Sequence, residues 1–386
     1  MLHISLSIIA LLGIALDPRI IFAITFIATL FYSTRFSERF NVFVFATILS
    51  ALAIFMQKEI IYASFFLLFF YQFRRNPLWD IAIYSSASML YFSIFSLINE
   101  ILLPPEYIVF ISLAGALSAS LIETVKTKEE EVLLLIAVAT TFAVFRIYIP
   151  TASLQDLAIA FAISFFISLL ALKAKIADES GLMSATIVGT VTILFTDLRF
   201  FAILLTFYLV GSIITKYKYQ TKLSLGIAEP SGGARGFSNV FGNSLAPLFF
   251  VMNFGVTKDP FFALAFIASV ATALGDTMAS EVGKTAKKVY LITNFKKVAP
   301  GTSGGVSAIG EVSALLGCIL IFFLSLALGI SELLHAIPVI LASFIGIHVD
   351  SFLGATLEEK GYLNNSAVNF FGTLSAGALC YLLLIL

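Results

Sequence analysis

The chain has 386 residues, of which 60% are hydrophobic and only 12% charged, with a mean hydropathy of +1.02. Soluble domains carry about 25% charged residues, so this composition excludes a soluble globular protein and points to a polytopic membrane protein. The 23 basic and 23 acidic residues cancel, and no basic face or recognition motif supports a nucleic-acid partner.

About fifteen apolar segments follow in chain order: Ile4–Leu16, Ile20–Ser33, Val42–Gln57, Ile60–Phe73, Trp79–Ile98, Tyr107–Ile122, Val132–Ile147, Leu157–Leu172, Gly181–Phe195, Phe200–Thr215, Phe237–Phe254, Phe261–Gly283, Gly305–Ile330, Leu333–Ile347 and Val368–Leu386. The expected fold is all-α, with transmembrane or re-entrant helices, because several segments fall short of the roughly 20 residues that span a bilayer. The first segment has the length of a signal-peptide core. It lacks a basic flank and is followed by Asp17-Pro18-Arg19 where a small-residue cleavage site would stand, so it reads as a membrane segment. Cys318 and Cys380 lie inside apolar segments and form no disulfide framework. His3, His335 and His348 are scattered, and His348 reads as structural.

Alternate loops placed on opposite sides divide the basic residues unequally. One side holds only Arg19, Lys58, Arg146, Arg199 and Lys258, leaving 18 of the 23 on the other, Arg39, Lys126 and Lys128 among them. The positive-inside rule then puts the N-terminus in the cytoplasm and the C-terminus outside. The chemically promising segments all fall on the cytoplasmic side, where nucleotides are available. Absence of targeting segments suggests a prokaryotic plasma membrane.

Two regions are expected: residues 1–150, poor in intramembrane charge, and residues 151–386, which hold the Gly-rich and charged motifs. Ala119–Glu123 faintly echoes Ala355–Glu358, which either an old duplication or chance would explain.

Four constellations carry chemistry, and a fifth group does not: Lys216, Lys218 and Lys222 read as plain cytoplasmic basic residues or headgroup contacts. Ser231-Gly232-Gly233-Ala234-Arg235-Gly236 then opens a segment with Asn239 and Asn243 on one face. Arg235 could fork onto a phosphate, with helix capping and interhelical hydrogen bonds as the plainer alternative.

Gly275-Asp276-Thr277-Met278-Ala279-Ser280-Glu281-Val282-Gly283 places Asp276 roughly 12 Å inside a helix from its lysine end. An ionised carboxylate at that depth normally lines a cavity or binds a cation. Asp276 and Glu281 could hold Mg²⁺ with phosphate oxygens, and Ser280 shares the Asp276 face. A buried polar pair that fixes helix packing is the alternative.

A basic stretch with Lys284, Lys287, Lys288, Lys296 and Lys297 leads to Pro300-Gly301-Thr302-Ser303-Gly304-Gly305. Such a turn before a helix leaves backbone N–H groups for an anion, although it is not a Walker motif. Asp350, Gly354 and Glu358 would share one helical face, with Ser351 beside them, as a second cation or substrate site.

These motifs also carry a resemblance. Gly181–Gly189, Gly211–Lys216, Arg235–Asn243, Gly275–Gly283, Lys297–Ser307 and Asp350–Glu358 together resemble the phytyl-phosphate kinase family of plants and cyanobacteria, over about 230 residues. The Gly-Asp-x-x-Ala-Ser element is also similar to that of dolichol and phytol kinases and, more distantly, CDP-diacylglycerol synthases, which are typically CTP-dependent. Asn239 and Glu311 depart from the family's usual pattern, and residues 1–150 lie outside it.

The resemblance implies transfer of the γ-phosphoryl group of a nucleoside triphosphate, CTP favoured, to an isoprenoid monophosphate. Asp276, Glu281 and Asp350 would then be the metal residues. Lys296, Lys297, Lys284 and the Gly301–Gly305 backbone would cradle phosphates. Arg235, Asn239 and Asn243 would orient nucleotide or acceptor, and Asp350, Ser351 and Glu358 the acceptor or a second cation. A CTP-dependent cytidylyltransferase or polyprenol kinase would use the same parts. A transporter would share the many helices and buried acids, but chemistry gathered on one face argues against alternating access. Membrane lipids surround the chain in every case, and self-association stays open.

Overall fold

The computed structural model describes residues 2–35, 40–75, 77–124, 129–148 and 152–386; Arg39, Lys126 and Lys128, which contributed to the charge asymmetry, lie outside them. The chain divides into two compact units, Met1–Ala158 and Ile159–Leu386. The division falls within the first turns of a helix, a few residues beyond the expected boundary.

The first unit contains α1 (Leu2–Ala15), α2 (Pro18–Arg35), α3 (Phe40–Leu52), α4 (Lys58–Leu68), α5 (Pro77–Ile98), α6 (Pro105–Thr124) and α7 (Glu130–Ile147). α8 (Leu154–Lys173) carries the division. The second unit continues with α9 (Glu179–Phe195), α10 (Leu198–Lys216), the single-turn α11 (Tyr219–Ser224), α12 (Phe237–Thr257), α13 (Pro260–Gly283), α14 (Ala308–Ala327), α15 (Ala336–Leu353) and α16 (Asn365–Ile385).

Each expected apolar segment falls on a helix. Among the described residues, nine helical stretches are long and apolar enough to cross a membrane, and four further apolar helices are shorter. The mixture of full-length and shorter helices is what the segment lengths led one to expect, because an apolar run marks a buried helix whether or not it is long enough to cross.

α13 is the hub of the second unit. Ala263 to Gly275 is buried without a break, which is the signature of a helix surrounded by others. In lipid such packing relies on small residues and on hydroxyls that bridge helices. Gly275 of α13 and Gly317 of α14 meet backbone to backbone: a Cβ on Gly317 would lie 2.9 Å from the Gly275 Cα. Ser269 Oγ donates to Thr373 O of α16 at 2.7 Å, and Ser343 Oγ of α15 donates to Ala268 O at 3.1 Å.

The connection between α13 and α14 is not the plain loop that its lysines and glycines suggested. It forms a small antiparallel sheet, ordered β2-β1-β3, from β1 (Val289–Leu291), β2 (Lys297–Val298) and β3 (Gly305–Val306). Val289 pairs with Val298, and Leu291 with Gly305. α15 continues into a wider π-type turn, Gly354–Glu358. Ala119–Glu123, by contrast, lies on regular α6, so the two echoing stretches do not share a backbone geometry.

Candidate functional site

A cavity of about 280 Å³ lies in the second unit, lined from α10, α12, α13, α15, α16 and the sheet segment. Arg235, Asn239, Asn243, Asp276, Ser280, Glu281, Lys284, Asp350, Ser351, Glu358 and Gly301 through Gly305 all line it, with Thr302 and Ser303 inside that loop. Motifs spread over more than a hundred residues thus meet at one place.

Lys296 and Lys297 do not. Both are exposed, at and after the β1–β2 turn, and neither lines the cavity. Lys297 pairs with Tyr290 in β2 and β1, while Gly304 and Gly305 return to the cavity at β3, so the two lysines are separated from the glycine loop with which they were expected to cradle phosphates.

Glu281 also differs from expectation. It is 2% exposed, and each carboxylate oxygen faces an ammonium group. Lys284 Nζ donates to Oε1 at 2.7 Å, and Lys222 Nζ donates to Oε2. Lys222, expected to be an exposed basic residue, is completely buried and also donates to Thr215 O at 2.7 Å. The cause is local: Lys218 adopts a left-handed conformation, φ +46°, and the short α11 that follows folds Lys222 back beneath α13. Lys284 Nζ further donates to Glu229 Oε1 at 3.0 Å. Two carboxylates and two ammonium groups therefore neutralise one another, and both Glu281 oxygens already face a lysine, so a cation held there directly or through water, as expected, would compete with two ion pairs.

Lys284, just past the end of α13, is held above the ordinary lysine pKa: burial disfavours its charge, but Glu229 and Glu281 outweigh that. Arg235 is 8% exposed. Its guanidinium stacks over Phe207, 5.1 Å from the ring centroid, and fits against Gly211, where any Cβ would collide with it. Its backbone is pinned by Arg235 N donating to Ile176 O at 2.8 Å. Among the described residues no carboxylate or carbonyl accepts from the guanidinium, so a buried fork of donors faces the cavity. Burial lowers its pKa, while Tyr208, Glu229 and Glu281 oppose the shift.

The three remaining acids of the notable motifs are differently placed. Asp276, Asp350 and Glu358 line the cavity within electrostatic reach of one another, and no cationic side chain is ion-paired with them among the described residues. With the Asn369 amide oxygen accepting from Asn243 Nδ2 at 3.1 Å, its nitrogen donates to Asp350 Oδ2 at 3.2 Å. Asn243 Nδ2 also donates to Asn239 O at 3.0 Å. This amide chain orients Asp350. Among the described residues no three His, Cys, Asp or Glu side chains form a ready-made metal cage. The donor set nevertheless suits Mg²⁺, which is held by one or two carboxylates with phosphate oxygens and water completing its shell.

The glycine loop is shaped by backbone strain that only glycine relieves. Gly301 and Gly304 have φ of +86° and +71°. A Cβ on Gly304 would lie 2.5 Å from Ser351 O, so the loop rests directly on the end of α15. Among the described residues the amides of Ser303 and Gly304 make no hydrogen bond to the protein. Ser307 caps α14, accepting from Gly310 N at 3.2 Å.

Sequence reasoning passed over Glu229 and Asn369 and misplaced Lys222. A lone Asn in an apolar segment and a Glu within a basic stretch were the available signals. Glu311, noticed as unusual, lines the cavity with Oε2 3.4 Å from His348 Nε2.

Helices of membrane length closing around a cavity of acids, amides and one buried arginine define an integral membrane protein with a polar cavity among its helices. The chain belongs to the family described as "Integral membrane protein DUF92", whose model matches residues 162–377. It is 32% identical to an uncharacterized membrane protein of Synechocystis sp. over 222 residues, covering 56% of this chain and 86% of that protein. It is 28% identical to an uncharacterized membrane protein of Methanocaldococcus jannaschii over 212 residues, covering 55% of this chain and 87% of that one. With the chloroplastic protein VTE6 of Arabidopsis thaliana it shares 32% identity over 216 residues, which are 54% of this chain and 65% of VTE6. No solved structure matches the chain.

Proposed function

We propose that this protein is a membrane lipid-phosphate kinase, transferring the γ-phosphoryl group of a nucleoside triphosphate, CTP favoured, to an isoprenoid monophosphate such as phytyl or geranylgeranyl phosphate. The observation that carries this reading is a single cavity lined by both kinds of group. Asp276, Asp350 and Glu358 border it without an ion-pair partner among the described residues, and the guanidinium of Arg235 and the amides of the glycine loop border it as anion donors. The resemblance to prenyl-phosphate kinases agrees with it.

Phosphoryl transfer needs positioning and charge neutralisation more than covalent chemistry. The bond between the γ-phosphorus and the β–γ bridging oxygen breaks, a bond to an acceptor phosphate oxygen forms, and nucleoside diphosphate leaves. The acceptor oxygen is already anionic, so no general base is required. Asp276, with Asp350 and Glu358 beside it, would hold the Mg²⁺ of the nucleotide, whose chemistry when bound is neutralisation of phosphate charge. Amides of Ser303 and Gly304 donate to the phosphates, and Arg235 orients a phosphate through its fork. The site would face the cytoplasm of a prokaryotic plasma membrane.

The test is turnover of purified protein with geranylgeranyl monophosphate, Mg²⁺ and γ-labelled CTP. Label in a lipid diphosphate, lost by about a thousandfold or more in Asp276→Asn, is the expected result. No labelled lipid with any common nucleotide or with phytyl phosphate would sink the kinase reading, and CDP-lipid from α-labelled CTP would replace it with a cytidylyltransferase.

A further inference from the structure

The sheet between α13 and α14 carries side chains that the cavity does not use. Lys287, Lys288, Lys296 and Lys297 are exposed on it or beside it, and no acidic residue occurs anywhere from Thr285 to Val306. At the β1–β2 turn Phe295 is 74% exposed, with φ +55°. A bulky residue in the left-handed region is an outlier that its surroundings must hold in place. Here Phe295 N donates to Leu291 O at 2.8 Å, and Lys296 N to Asn294 Oδ1 at 3.0 Å. The turn therefore spends backbone strain on presenting an aromatic ring outward, between lysines. Since the sheet joins the ends of two membrane-length helices, it lies at the level of the bilayer surface.

We propose that this sheet docks onto the surface of the surrounding bilayer, with Phe295 entering the boundary between headgroups and acyl chains and the four lysines meeting anionic headgroups. Aromatic rings and lysine side chains are the residue types that settle at that depth. A cluster of lysines without acids is complementary to a negatively charged leaflet. The occupant is lipid and not a soluble phosphate, because a soluble anion would leave the Phe295 ring in water. The sheet reaches the cavity through Ile292 N donating to Gly304 O at 3.0 Å and through the pairing of Leu291 with Gly305, so docking steadies the glycine loop.

The experiment uses the full chain with Phe295→Trp and with the single tryptophan, Trp79, replaced by phenylalanine. The protein is reconstituted in phosphatidylcholine vesicles, with or without about 30% phosphatidylglycerol, and the acyl chains are brominated near the headgroup. Emission of the new tryptophan is expected to be quenched at least about twofold more when phosphatidylglycerol is present. That excess should vanish at roughly 1 M salt, where screening is nearly complete, and in the variant carrying Gln at all four lysines. No quenching in either vesicle overturns the proposal, as does quenching indifferent to lipid charge, salt and the lysines. The salt arm needs no additional substitution, and turnover is not measured, so this outcome is independent of the catalytic reading.

Discussion

Lys222 and Lys284 grip the two oxygens of Glu281 from opposite sides, and the consequences differ because one lysine is sealed in and the other borders the cavity. Removing one partner of a buried pair leaves an uncompensated charge, so Lys222→Met should lower stability by about 3 kcal/mol, the low end of the usual range because Lys284 still pairs. Thermal unfolding in detergent would record the loss. Replacing Glu281 by Leu in the same chain should restore part of it, since an apolar pair of similar volume avoids the desolvation cost. Lys284 adds a pH dependence. Its pKa is raised above 10.5, so its contribution is complete below that value and is lost as pH rises through the folded pKa. The difference in melting temperature between the natural chain and Lys284→Gln should therefore stay constant from about pH 7 to 9 and shrink above about 10.5. A difference that grows at high pH would refute the ion-pair account.

The elements around the cavity are held by close approaches that sequence marks only as glycines. Gly226 and Gly304 have the same φ, +71°, yet open space surrounds Gly226 while Gly304 abuts Ser351 and Ala355. Gly226→Ala should cost only about 1 kcal/mol of backbone strain. Gly304→Ala must in addition push the loop off α15, so nucleotide affinity should fall about tenfold or more, as titration calorimetry would show. Equal effects of the two substitutions would argue against a loop that acts through its contact with α15. The motif glycines were legible in the sequence as turns, but which of them touch a neighbour was not, because that depends on where α15 and its π-type turn arrive.

For the molecule as a whole, the second unit supplies every residue of the cavity, and its spans place the glycine loop beyond the ends of α13 and α14. The basic residues divide 18 to 5 between the two expected sides, and the proposal that this end faces the cytoplasm rests on that division. A cysteine at Lys288 should react with an impermeant maleimide in inside-out vesicles and not in right-side-out ones. Cys318 and Cys380 are buried and leave a low background. Labelling from the opposite face would reverse the topology and remove the site from cytoplasmic nucleotide.

Composition and periodicity by themselves determined that this is a helical membrane protein and where its helices run, and they marked the short motifs that line the cavity. An apolar run records burial directly, and an acid within one is costly enough to stand out. Only the tertiary structure decided how those motifs combine. It took Lys222 from the surface and buried it against Glu281, brought Asn369 to Asp350, and carried Lys296 and Lys297 away from the cavity onto the outer part of a sheet. The reason is physical: the ion pairs and hydrogen bonds join residues far apart along the chain, 59 positions for Lys222 and Glu281 and 55 for Glu229 and Lys284, and no local pattern along the chain encodes a partner at that distance.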